Sequence, residues 1–155
     1  MIIESTLDTK YFLDIVKELD FKDKDEEEAR DILHSNDEKA VYQVLVSAPN
    51  RWAEHYFIKD TKKENKIVCV ITLDLGNNLH YFVTKDLDTK NSIKFVKTIK
   101  SLVQETVKYR HTVFVTTRNW YTEAIKFNKL IGFKLLYTHN GKDISSWVYS
   151  DRKGY

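Results

Sequence analysis

The segment from His111 to Phe133, HTVFVTTRNWYTEAIKFNKLIGF, constrains the fold most, because it holds a strand, a turn, a helix and a helix stop in one short span. Val113, Phe114 and Val115 are β-formers in a run without a breaker, which predicts a buried or half-buried strand over 112–117. Arg118 and Asn119 end it. Asn119 is a good N-cap for a helix over 120–131, behind which Ala124, Ile125, Phe127, Leu130 and Ile131 recur at three- and four-residue spacing. Gly132 stands where a left-handed residue commonly closes a helix.

The rest of the chain supplies the elements around this unit. Met1 to Ser5 reads as an edge strand. Tyr11, Phe12, Ile15, Val16 and Leu19 share one helical face, which predicts a helix over 9–20 with Asp8 or Thr9 as its cap. A second helix over 23–33 opens on Asp25, Glu26, Glu27 and Glu28, charges that suit the positive end of a helix dipole. Three segments then read as strands in an antiparallel meander: VYQVLVSA from Val41, HYFIKD from His55 and KIVCVITLDL from Lys66. Pro49 and Asn50 separate the first two, and Thr61 to Asn65 reads as a hairpin loop. The run Ile67 to Leu73 is apolar on both pleat faces and predicts a central strand.

After the turn residues Gly76, Asn77 and Asn78, LHYFVTK reads as a strand with Leu79, Tyr81 and Val83 on one face and His80, Phe82 and Thr84 on the other. From Asn91 the apolar positions Phe95, Val96, Ile99, Leu102, Val103, Thr106 and Val107 predict the longest helix of the chain. KLLYTH and ISSWVYS flank Asn140-Gly141, a strong hairpin signal, and Asp151 to Tyr155 reads as a loose tail. The pattern predicts a single α+β domain over 1–155, layered α/β/α, with a mixed, mostly antiparallel sheet of about six or seven strands.

Composition excludes several functions. Lys and Arg number 25 against 23 Asp and Glu, so no global field recruits nucleic acid or an anionic membrane. The basic positions Lys85, Lys90, Lys94, Lys97 and Lys100 read as a solvated helix face. Cys69, the one cysteine, rules out an internal disulfide and reads as a buried structural thiol. Histidines 34, 55, 80, 111 and 139 lack metal-ligand spacing, so no metal is expected. With no signal-peptide pattern and no apolar run of spanning length, the expected location is cytoplasmic.

The pattern Ala124-x-x-Phe127-x-x-x-Ile131-Gly132-Phe133 resembles the last helix and following strand of the GNAT acyltransferase superfamily, and the order of elements is similar to the GNAT order over nearly the whole chain. The resemblance implies acetyl-CoA as cofactor, lying where strand 79–84 and strand 112–117 splay apart, with its pyrophosphate on backbone N–H groups at the start of the long helix. Glycines normally let the backbone approach those phosphates. Here the matching stretch from Lys85 to Ser92 has no glycine and carries Asp86 and Asp88. The family's usual Tyr after the position of Phe127, which protonates the leaving thiolate, is replaced by Asn128; an amide loses no proton as a general acid must.

Tyr121 is the candidate substitute acid, and His80 the candidate base, because imidazole titrates near neutrality. The resemblance thus gives His80, Tyr121 and Asn128 as catalytic positions and Val83, Lys85, Lys90, Asn91, Ser92 and Asn119 as cofactor-binding positions. A narrower likeness is to the GNAT-like proteins encoded beside virion structural genes in short-tailed bacteriophages, carried by the acidic second helix, Tyr81-Phe82-Val83-Thr84-x-Asp86, the basic long helix and Asn128. It implies weak or lost acyl transfer and a virion-assembly or interaction role, in the host cytoplasm and the virion, with phage structural proteins or a second copy as partners. The alternative is a working acetyl-CoA-dependent N-acetyltransferase acting on an amine, with Lys90, Lys94 and backbone amides on the phosphates.

Overall fold

In the computed structural model, which describes residues 1–47, 52–88, 90 and 92–152, the chain forms two compact units. One comprises 1–75 and 80–89, the other 76–79 and 90–155. The Pro49-Asn50 interruption lies outside the described residues.

The N-terminal unit carries four strands in the order β1 (Ile2–Thr6), β2 (Trp52–Asp60), β3 (Lys66–Asp74) and β4 (Leu79–Val83). As its apolar run predicts, β3 is interior, buried from Val68 to Leu73. Cys69 on it is fully buried, and that burial, with the Asp25 charge second, pushes its thiol well above the ordinary 9.0; it is a structural thiol. Three helices cover one face: α1 (Thr9–Val16), α2 (Asp23–Leu33) and α3 (Ala40–Val46). Phe12, Val16, Ala29, Val41, Leu45, Phe57, Val70 and Phe82 form the core between them and the sheet.

Two helix expectations are corrected here. The segment from Val41 is α3, not a strand. Its buried positions, Ala40, Val41, Val44 and Leu45, fall at helical spacing, and Glu26 Oε1 of α2 accepts the Val41 N–H at 2.7 Å, capping its first turn from a distant part of the chain. Helix α1 has its Asp8 cap, which accepts from the Tyr11 N–H, but stops at Val16 rather than continuing to 20. The backbone leaves the helix because Asp20, Phe21 and Lys22 pair with the outer edge of β4: the Lys22 N–H donates to Val83 O and the Lys85 N–H to Asp20 O, each at 2.9 Å. Asp25 completes this cover by accepting the Val83 N–H.

The C-terminal unit is built on α4 (Ser92–Arg110), which is the longest helix, as its periodicity predicts. It packs on β5 (Thr112–Arg118), α5 (Thr122–Ile131) and β7 (Ile144–Ser150). With β6 (Lys134–Thr138) the strands form an antiparallel sheet in the order β5-β7-β6, closed by the expected Asn140-Gly141 turn. A parallel bridge joins Asn78 to Phe114, the trace in this unit of the expected crossover. Gly132 closes α5 at φ +113, its N–H bonded to the carbonyls of Asn128 and Lys129. Asn119 does not cap α5. Strand β5 runs on to Arg118 and the Asn119 N–H donates to Asp143 O at 2.9 Å, so the helix begins at Thr122 with Tyr121 in the cap position.

Candidate functional site

Each unit brings some of the expected residues into defined surroundings. In the N-terminal unit, β4 presents His80 towards β3, where its Nε2 lies 3.2 Å from Asp74 Oδ2. A carboxylate only accepts, so the shared proton belongs on Nε2 and Nδ1 is left as the basic nitrogen. Both side chains are partly shielded, 34% exposed for His80 and 17% for Asp74. Trp52 sets its ring edge-on to the imidazole, 4.9 Å between centroids. The indole is itself anchored by its N–H to Leu45 O at 2.8 Å. An imidazole oriented by a carboxylate and walled by an aromatic ring has the make-up of a proton acceptor.

Sequence reasoning picks out His80 but neither Asp74 nor Trp52. The signal for Asp74 is present: it and His80 stand either side of the Gly76-Asn77-Asn78 turn, where a reversal of the chain brings flanking residues together. Trp52 has no such signal, since its partner arises from the cross-strand register Trp52 to Asp74.

Val83 and Lys85 also lie in this unit. Val83 is buried, and its N–H and C=O are both taken by the Asp20 to Asp25 stretch. Lys85 is exposed and pairs with Asp23 at 3.4 Å. The two aspartates of the 85–92 stretch pair with lysines of this unit, Asp86 with Lys66 at the start of β3 and Asp88 with Lys63 of the β2–β3 connection, each at 3.9 Å.

In the C-terminal unit, Lys90, Ser92 and Lys94 are exposed at the start of α4, whose first turn carries no acidic residue. A helix start with a hydroxyl and lysines suits a pyrophosphate. These residues therefore fit the polyanionic end of acetyl-CoA. Asn91 lies outside the described residues. Tyr121 is almost buried, its ring stacked on Trp120 at 5.7 Å and nearly parallel. Asn128 is fully buried and donates from Nδ2 to Thr117 Oγ1 at 2.9 Å, tying α5 to β5. Among the described residues no group of His, Cys, Asp and Glu could hold a metal ion, and no helix is long and apolar enough to cross a membrane.

No family model and no curated protein matches the sequence. Solved structures do match in shape. An aminoglycoside 6'-acetyltransferase type Ii superposes with a TM-score of 0.58 over 97% of both chains, at 18% identity. A chimera of the spermidine N-acetyltransferase SpeG from Vibrio cholerae and hSSAT gives 0.57 over 97% of this chain and 96% of that one, at 9% identity. A GNAT-family acetyltransferase from Bacillus anthracis gives 0.52 over 75% and 76%, at 12% identity. The chain has the GNAT fold. Identities this low establish the architecture alone.

Proposed function

We propose that this protein is an acetyl-CoA-dependent N-acetyltransferase acting on a primary amine. The observation that carries the reading is the His80–Asp74 pair beside Trp52, on a fold shared with aminoglycoside and spermidine acetyltransferases. When bound, acetyl-CoA supplies the acyl group as an activated thioester. His80 Nδ1 takes the proton released as the amine nitrogen forms its new bond to the acyl carbon. Asp74 holds the ring in the required tautomer and stabilises the imidazolium that results. Lys90, Ser92, Lys94 and the first-turn amides of α4 serve the phosphates. Tyr121 is the chain's candidate donor of a proton to the leaving sulfur.

The test is steady-state release of free thiol with acetyl-CoA and a panel of primary amines, polyamines and aminoglycosides among them. His80→Ala should lower turnover by about a hundredfold or more, and Tyr121→Phe by more than about tenfold. Turnover unchanged in His80→Ala removes the base from the scheme.

A second reading, a GNAT-like protein of bacteriophage virion assembly with acyl transfer lost, draws on different observations. The stretch 85–92 has no glycine, Asn128 is a buried tie rather than an acid, and the Val83 amide and carbonyl are consumed within the unit. Absence of acetyl-CoA binding, with the protein folded, would favour it.

A further inference from the structure

The C-terminal unit contains a groove of about 640 Å³ that neither reading uses. Its cations come from three separate elements: Lys100 from α4, Lys134 from the start of β6 and Arg152 from just beyond β7. All three are exposed. Among the described lining residues the acid is Asp151, whose Oδ2 lies 3.3 Å from His111 Nδ1. Among the described lining residues three cations far apart in sequence stand against one carboxylate, which gives this part of the groove a net positive charge.

The groove also has an aromatic and a glycine wall. Tyr149 lines it beside Gly132, and a Cβ at position 132 would stand 3.1 Å from the Tyr149 ring. Backbone and ring are thus in close contact without a side chain between them. Gly132 is favoured there by its positive φ of +113, and a Cβ would also press on the ring. The volume is within the range of small-ligand sites, about 300–1,000 Å³. Phosphate oxygens suit Lys and Arg by charge-assisted hydrogen bonds, and a planar heterocycle suits the face of a Tyr.

From these features we infer that the groove binds a nucleoside polyphosphate, its phosphates on Lys100, Lys134 and Arg152 and its base against Tyr149. Among the described lining residues there is one aromatic ring, Tyr149, which matches a single base rather than a run of bases along a polymer. This site is separate in its residues from the start of α4, so it stands whether or not acetyl-CoA binds.

Calorimetric titration of the full chain with ATP, pyrophosphate and adenosine separates the contributions, and amide shifts in NMR spectra locate them. ATP should bind more tightly than pyrophosphate, adenosine should bind weakest, and the Gly132 amide should move with ATP. Lys134→Ala combined with Arg152→Ala should weaken ATP binding by about tenfold or more, whereas Lys90→Ala combined with Lys94→Ala should leave it unchanged. The inference is overturned if ATP gives no binding, if the Lys134/Arg152 variant binds it normally, if pyrophosphate binds as tightly as ATP, or if a short oligonucleotide binds far more tightly than ATP. Loss of binding in the Lys90/Lys94 variant also overturns it, since the nucleotide would then sit at the α4 start.

Discussion

The N-terminal unit buries Asp25, His55 and Asp60 among its polar side chains, whereas the C-terminal unit buries Thr106, Thr117, Asn128, Ser145 and Ser146, all of them uncharged. The difference follows from what those side chains do. In the N-terminal unit, charge is spent on backbone groups that regular structure leaves over: Asp25 takes the edge N–H of Val83, Glu26 takes a first-turn N–H of α3, and Asp60 takes the Lys62 N–H of a 3₁₀ turn. In the C-terminal unit the buried polar groups are neutral: Asn128 joins Thr117 and Ser146 joins His139, while the Thr106 and Ser145 hydroxyls donate to the Leu102 and Thr117 carbonyls. A fold held by buried ionisable groups should feel pH. One held by amides and hydroxyls should not.

The largest effect expected is on the shared apolar core of the N-terminal unit. Phe12 is fully buried, stacked on His55 at 4.3 Å and packed on Phe57 at 5.1 Å. Phe12→Ala should cost about 3–5 kcal/mol in denaturant unfolding. A loss below about 1 kcal/mol would mean that this stack is not central to the unit.

Next come the two polar ties. Asp25→Ala strands the Val83 N–H on the edge of β4 and should cost about 1–3 kcal/mol. Asn128→Ala should cost only about 1 kcal/mol, because the Thr117 hydroxyl can rotate to another partner. Equal costs would erase the distinction between charged and neutral ties.

The last effect vanishes at neutral pH and is the most specific. His55 is fully buried, and desolvation holds its imidazole below the ordinary 6.5. Its ring shares a 2.9 Å hydrogen bond with Thr9 Oγ1 through Nε2, while its Nδ1 and the hydroxyl of its cross-strand partner Thr72 have no hydrogen-bond partner among the described residues. The folded state favours the neutral ring, so the stability tied to it is intact above pH 6.5 and is lost as the pH falls from there towards the lowered folded value. Glu26, raised by burial, acts in the opposite sense and at lower pH: its contribution is present below 4.5 and lost as the pH rises through the folded value. Comparing wild type with His55→Gln isolates the histidine. Wild type should lose up to about 1.4 kcal/mol per pH unit below 6.5 relative to the variant. Parallel curves would contradict the assignment.

The same contrast explains what could be read from the sequence. The C-terminal unit was legible because its signals are local: a long apolar period for α4, Gly132 as a stop and Asn140-Gly141 as a hairpin turn. Its one error, the cap at Asn119, arose where a tertiary bond to Asp143 outweighed a local preference. In the N-terminal unit the segment from Ala40 is rich in β-formers and too short for period alone to separate helix from strand. What made it α3 was burial against the sheet and a cap from Glu26, neither of which is encoded nearby. The early end of α1 has the same origin, an edge of β4 that needed partners. At the candidate site, His80 could be named from its strand, but the carboxylate and indole that give it an orientation come from register.

Acetyl-CoA binding to the folded, purified chain bears most directly on the functional account, and isothermal titration calorimetry measures it without an assumed amine. The account predicts saturable binding at micromolar concentrations or tighter, weakened when Lys90 and Lys94 are both replaced by Ala. Titration without heat, on protein whose unfolding transition is intact, would contradict it.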